Sequence, residues 1–247
     1  MRTLPSLLAL SVALAASTVA ASPRVELALV DRDSGEWAAP VRHRGQTWVE
    51  GTPGHRYAVR LTNVTSERLL VVLSVDGVNA ITGQTASPAQ SGYVLEPWQT
   101  TQVDGWRKSM RHVAQFVFTD LPDSYAARTG RPDNVGVIGI AVFEEARRWR
   151  EPPAIEERSV SKSSAPMRDE ARAQSIGTGH GGSQASSAYR TAFERASSTP
   201  VEVTQMRYDD RASLVARGVI PWRRPHRDDR PRAFPAGFVP DPPGWDD

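Results

Sequence analysis

Six residues, Asp76, Asn79, Tyr93, Asp104, Trp106 and Arg107, stand beside turn signals in the stretch from Val75 to Phe143. Asp76 and Asp104 are carboxylates of the kind a glycan hydrolase pairs across a cleft, roughly 5–10 Å apart. Tyr93, Trp106 and Arg107 are of the kind that stacks on a sugar or anchors a peptide. Set as a group at strand ends, the six form a candidate ligand-binding face for a protein or glycan partner. The plainer account is local: Asp76-Gly77 and Asp104-Gly105 are good tight-turn pairs, and Trp106 can simply cap a core.

Other motifs carry less. Gly177-Thr178-Gly179-His180-Gly181-Gly182 matches G-x-G-x-x-G, but that fingerprint needs a strand before it and a helix after it to hold a pyrophosphate. Charged residues precede it and small polar ones follow, so it reads as a glycine loop, at most an anion-binding nest. His180-Gly181-Gly182 has the look of an esterase oxyanion loop, yet no Gly-x-Ser-x-Gly nucleophile accompanies it. The five histidines, His43, His55, His112, His180 and His226, show no metal-ligand spacing. No metal and no cofactor is expected, although loops distant in sequence can still meet. Asp76 and Asn79 lack the acid ladder of an EF-hand. Asn63-Val64-Thr65 is a formal sequon and nothing more.

The elements that position these residues read as strands. Arg24 to Val30 and Tyr57 to Asn63 alternate polar and apolar side chains, and Gln46 to Glu50 is a short strand. Leu69 to Val75 is almost wholly apolar and belongs in the middle of a sheet. Asp76-Gly77 then predicts a two-residue type I′ turn into Val78 to Thr82. Gly92 to Leu95 and Thr100 to Asp104 predict a hairpin around Glu96-Pro97-Trp98. Val113 to Phe118, Val135 to Phe143 and Val201 to Tyr208 are further strands, with Leu214 to Ile220 pairing back across Asp209-Asp210. Strands at such spacing, without a long amphipathic helix, predict an all-β, antiparallel β-sandwich of jelly-roll or immunoglobulin-like type.

Arg2, the apolar run Leu4 to Ala16 and the small residues Val19-Ala20-Ala21 make a secretory signal peptide. The predicted location is therefore periplasmic or secreted, with no membrane span in the mature chain. The chain contains no cysteine, which excludes disulfides and thiolate chemistry. With 30 basic and 28 acidic residues interspersed, no nucleic-acid footprint is expected. The low mean hydropathy of −0.43 predicts that part of the chain stays unpacked. The expected layout is a signal peptide over 1–21, a sandwich core over 22–145 and a charged flexible linker over 146–175. A glycine loop with a docking hairpin then covers 176–222, and a disordered Pro/Arg-rich tail covers 223–247.

Asp76-Gly77-Val78-Asn79, Gly92-Tyr93-Val94, Asp104-Gly105-Trp106-Arg107, Ser124-Tyr125-Ala126-Ala127 and Asn134-Val135-Gly136-Val137-Ile138-Gly139 together resemble a family of uncharacterised exported proteobacterial proteins. The resemblance covers Gln46 to Glu145 and, more loosely, Gly177 to Ile220. It implies export and one coherent core, and it transfers no site residue. The expected function is a non-enzymatic binding or envelope-associated module. The alternatives are a periplasmic glycan hydrolase using loop carboxylates and a self-assembling surface component.

Overall fold

A computed structural model describes residues 22–146 and 174–222. The expected signal peptide, residues 147–173 of the expected linker and the tail from 223 lie outside these. Among the described residues the strands are β1 (Val25–Asp31), β2 (Val41–His43), β3 (Gln46–Glu50), β4 (Arg56–Asn63), β5 (Leu69–Val75), β6 (Val78–Asn79) and β7 (Tyr93–Leu95). They continue with β8 (Thr100–Val103), β9 (Gly105–Arg107), β10 (His112–Asp120), β11 (Val137–Glu144), β12 (Ile176–Ala185) and β13 (Glu202–Asp209). Two short α-helices, α1 (Tyr125–Arg128) and α2 (Arg211–Ala216), and two 3-10 turns, Leu121–Asp123 and Pro132–Asn134, complete the set. No helix among the described residues is long and apolar enough to cross a membrane.

The strands form two sheets, so the chain is the all-β sandwich its pattern predicts. One sheet runs β1-β4-β10-β12, with β8 beside β4 and β9 beside β10. The other runs β2-β3-β13-β11-β5-β6, with β7 beside β5. Every pair is antiparallel except β3 with β13. Leu29, Leu61, Phe116, Phe118, Ile138, Ile140 and Tyr208 fill the space between the sheets. The nearly continuous apolar run of β5, interrupted only by half-buried Ser74, follows from burial on both faces. Leu69, Val71, Leu73 and Val75 enter the inter-sheet core, while Leu70 and Val72 join Ala141 and Phe143 on the outer face under Val94 and Phe193.

Three local expectations are corrected. Tyr93–Leu95 and Thr100–Val103 are not a hairpin: β7 pairs with β5 and β8 pairs with β4, in opposite sheets. The crossover is pinned by buried Asn63, whose Nδ2 donates to the carbonyls of Glu67 and Glu96 at 2.7 and 2.9 Å. Leu214 to Ile220 is not a returning strand. Asp210 caps α2 by accepting from Ser213 N at 2.9 Å, and Gly218 at φ 72° ends it. The amides of Gly218 and Val219 bond back to the carbonyls of Val215 and Leu214, each at 2.9 Å, a Schellman closure.

The glycine run is not a loop either. It is β12, paired with β10 from Ile176↔Asp120 to Ala185↔His112, with a bulge between Phe116 and Ala114. Its glycines allow close packing: a Cβ on Gly177 would lie 2.6 Å from Ser124 Cβ, and one on Gly181 would lie 2.7 Å from Val117 Cγ2. Gly177 to His180 are paired in the ladder, while Gly181 and Gly182 lie at the bulge, so the run is a strand and not a loop. Ser175, the last residue of the expected linker, is packed, its Oγ bonding Asp209 Oδ1 at 2.5 Å.

Candidate functional site

The Asp76-Gly77 turn has φ 53° and 72° at its two central residues, the type I′ signature. This geometry sends the Asp76 side chain into the space between the sheets, where it is 0% exposed. Its Oδ1 accepts from Gly136 N at 2.9 Å and from the Tyr208 hydroxyl at 2.7 Å, and its Oδ2 accepts from Thr178 N at 2.7 Å. Because Tyr208 donates to the carboxylate, its oxygen receives the Thr178 hydroxyl at 2.7 Å, and Thr178 Oγ1 receives Tyr57 at 2.5 Å. The proton chain thus runs Tyr57, Thr178, Tyr208, Asp76, linking β4 and β12 of one sheet to β13 and the β5–β6 turn of the other. Burial outweighs the donors and pushes the Asp76 carboxyl up to about 6. Burial, with the nearby Asp76 charge, also raises both tyrosines well above the ordinary range.

The other five predicted residues are placed as follows. Asn79 is fully buried and organises its own loop, Oδ1 accepting from Ile81 N and Thr82 N at 2.8 and 2.9 Å while Nδ2 donates to the Ser91 carbonyl. Trp106 is 4% exposed, set edge-on to Phe116 at 4.9 Å, so its ring offers no face for a sugar to stack on. Asp104 is half-buried and receives Gln102 Nε2 at 2.8 Å and Gln184 Nε2 at 3.2 Å, with Arg32 at 3.6 Å. Arg107 Nη1 donates to the Ser186 carbonyl at 2.7 Å. Burial raises the Tyr93 hydroxyl, with Arg107 opposing and Asp104 reinforcing the shift. Tyr93, Asp104 and Arg107 are therefore electrostatic neighbours, while Asp76 belongs to the interior. A hydrolytic pair of Asp76 and Asp104 finds no support in this arrangement, because the Asp76 oxygens meet only protein donors.

A cleft of about 540 Å³ opens elsewhere, at the end of the sandwich where β1 finishes, β3 passes and α2 closes over Trp48. Asp31, Glu36 and Glu50 bring three carboxylates to it, with His55. Trp37, Trp48, Leu214, Val219 and Ile220 supply its apolar surface. Trp37 is 56% exposed with Arg60 over its ring at 4.8 Å, whereas Trp48 is buried in a cluster with Leu214 and Val219. None of the described residues lining the cleft is Arg or Lys, although the chain holds 30 of them.

Asp31 is the anchor of this end. Its Oδ1 accepts from Asp33 N and Ser34 N at 2.9 and 3.0 Å, and its Oδ2 meets His55 Nδ1 at 2.7 Å. Burial pushes its carboxyl up, but the Ser34 amide, the His55 ring and the Asp33 amide together hold it below the usual range. The ligand atoms of Asp31, Asp33 and His55 lie within 4.8 Å of one another, a donor set that suits a divalent ion in type. Arg56 already neutralises Asp33. Its Nε donates to Asp33 Oδ1 at 2.8 Å and its amide to Asp33 Oδ2 at 2.6 Å, and the pair holds Asp33 down at about 2. The trio is accordingly a charge network.

Asp76 was legible as a turn residue, but Tyr57, Thr178, Tyr208 and the cleft were not. Their residues come from distant elements, and the sequence signal for the cleft was limited to Trp37 and Trp48 standing near acids. Comparison with protein-family models, curated proteins and solved structures found no match, so the site rests on its own geometry.

Proposed function

We propose that this chain is an exported binding module of the bacterial envelope, whose ligand is an arginine-bearing segment of protein. The cleft at the Trp48 end carries the reading. Three carboxylates and two tryptophans converge there, and the described lining residues include His55 but no Arg or Lys. Carboxylates hold guanidinium groups through paired charged hydrogen bonds, and indole faces stack on the same planar cation. A desolvated aromatic floor with a charged rim is also the usual anatomy of a binding hot spot. The Arg2, Leu4 to Ala16 and Val19-Ala20-Ala21 segment supports export.

The test has two arms. Cell fractionation followed by N-terminal sequencing is expected to find the protein in the periplasm or medium with its first residue near Ser22, and a protein confined to the cytoplasm with Met1 retained would overturn export. The recovered protein is then presented to arginine-bearing peptides and to a glycan array. Peptide capture is expected, at least tenfold weaker for Glu36→Lys and for Trp37→Ala, both exposed positions. Capture of glycans in place of peptides, or equal binding by wild type and both variants, overturns the reading.

A further inference from the structure

We infer that the resident occupant of this cleft is the chain's own segment 223–232, an inference that rests on the reading just given. The described structure leaves the cleft directly into that segment: Val219 and Ile220 line it, and Trp222 is only two residues further on. The next ten residues are Arg223-Arg224-Pro225-His226-Arg227-Asp228-Asp229-Arg230-Pro231-Arg232. Five arginines against two aspartates leave a surplus of three positive charges. That surplus is complementary in sign to the three carboxylates Asp31, Glu36 and Glu50, in a lining without Arg or Lys among the described residues.

Glu50 shares one of its oxygens with Arg211 at 2.8 Å and Asp31 shares one with His55, while Glu36 shows no ion pair among the described residues. Glu36, beside exposed Trp37, is therefore the point where an incoming guanidinium gains most. Proline at 225 and 231 favours polyproline II, the conformation that aromatic-lined grooves recognise. A cleft of about 540 Å³ is roughly 10 Å across, which three or four such residues span at about 3.1 Å each. Tethering by a few residues sets the local concentration in the millimolar range. An outside partner carrying the same chemistry must therefore displace a segment that is already present.

The chain has no cysteine, so a single introduced pair reports proximity cleanly. Ala39→Cys places a thiol in the exposed cleft lining, and His226→Cys places one in the segment. In the full chain, under mild oxidation, an intramolecular bond is expected to form at least tenfold faster than in the same double variant with all five arginines replaced by serine. A similar slowing is expected with Glu36→Lys, and in 1 M salt, where screening shortens to about 3 Å. Equal rates with the serine segment would mean that the tether alone brings the thiols together, and the inference falls. Cross-linked dimers whose yield grows with protein concentration would make a second copy the occupant, with the same result.

Binding of a synthetic 223–232 peptide to the serine-segment chain separates the two levels. If the peptide binds but the native pair cross-links no faster, the cleft reading stands and this inference falls. If the peptide does not bind, both fall.

Discussion

Asp76 is an ionisable group shut off from solvent, held by the amides of Gly136 and Thr178 and by the Tyr208 hydroxyl. Its carboxyl rises from 3.8 to about 6, a gap that corresponds to roughly 3 kcal/mol. The folded chain therefore keeps a proton between those pH values that the unfolded chain has lost. The stability this group confers is complete below pH 3.8 and declines as pH rises through about 6. Urea unfolding from pH 4 to 7 is expected to show the wild type losing about 3 kcal/mol relative to Asp76→Asn across that window. Parallel profiles would show that Asp76 does not titrate in the fold. Tyr208→Phe removes a donor to the carboxylate and is expected to move the upper end of the window to higher pH, with a loss of about 1.5–3 kcal/mol at pH 7. The Asp-Gly dipeptide revealed the turn because type I′ geometry is set by two adjacent residues. The clasp was not legible, since Tyr57, Gly136, Thr178 and Tyr208 gain their roles only through long-range pairing.

At the scale of elements, local composition misled wherever packing decided the conformation. Glycine density in 177–182 suggested a loop, yet those positions lack a Cβ because β12 lies against Ser124, Val135 and Val117. Two alanine substitutions separate these accounts. Gly177→Ala forces a methyl to 2.6 Å from Ser124 Cβ, and overpacking of this kind costs about 1–3 kcal/mol. Gly182→Ala meets nothing nearer than Gln115 Oε1 at 3.6 Å, without a positive φ. It is expected to be neutral or to stabilise by up to about 1 kcal/mol through the unfolded state. Chemical denaturation of both variants measures the difference, and equal tolerance would return 177–182 to a loop. The α2 misreading has another source. Leu214 to Ile220 is apolar enough for a strand, but Asp210 before it and Gly218 within it are helix start and stop signals. The supposed Glu96-Pro97-Trp98 hairpin failed because turn residues fix a reversal and not the sheet that each arm joins. Alternating strands such as β1 and β4 were legible, since each presents one face to a single core.

Across the whole molecule, the part after residue 174 is woven into both sheets. β12 adds to β10, the next segment crosses the outer face, and β13 enters the second sheet between β3 and β11. On that crossing Arg195 lies 4.1 Å over the Phe143 ring and donates to the Gln90 carbonyl at 2.6 Å. Glu145 is bridged to Arg195 in the backbone and to Arg68 through its side chain. Without β13, β2 and β3 would have no neighbour in their sheet, and Asp76 would lose Tyr208. The layout of a 22–145 core with an appended 176–222 hairpin predicts the opposite, a core that survives alone. A specific protease site inserted between residues 155 and 162 of the full chain decides between them. Cleavage is expected to leave both fragments eluting together in size-exclusion chromatography and parting only in denaturant, because β13 is bonded on both sides. Separation under native conditions, with the first fragment keeping its circular dichroism, would make the C-terminal part an appendage. The cleft would then be incomplete without it, since Leu214, Val219 and Ile220 supply its α2 side.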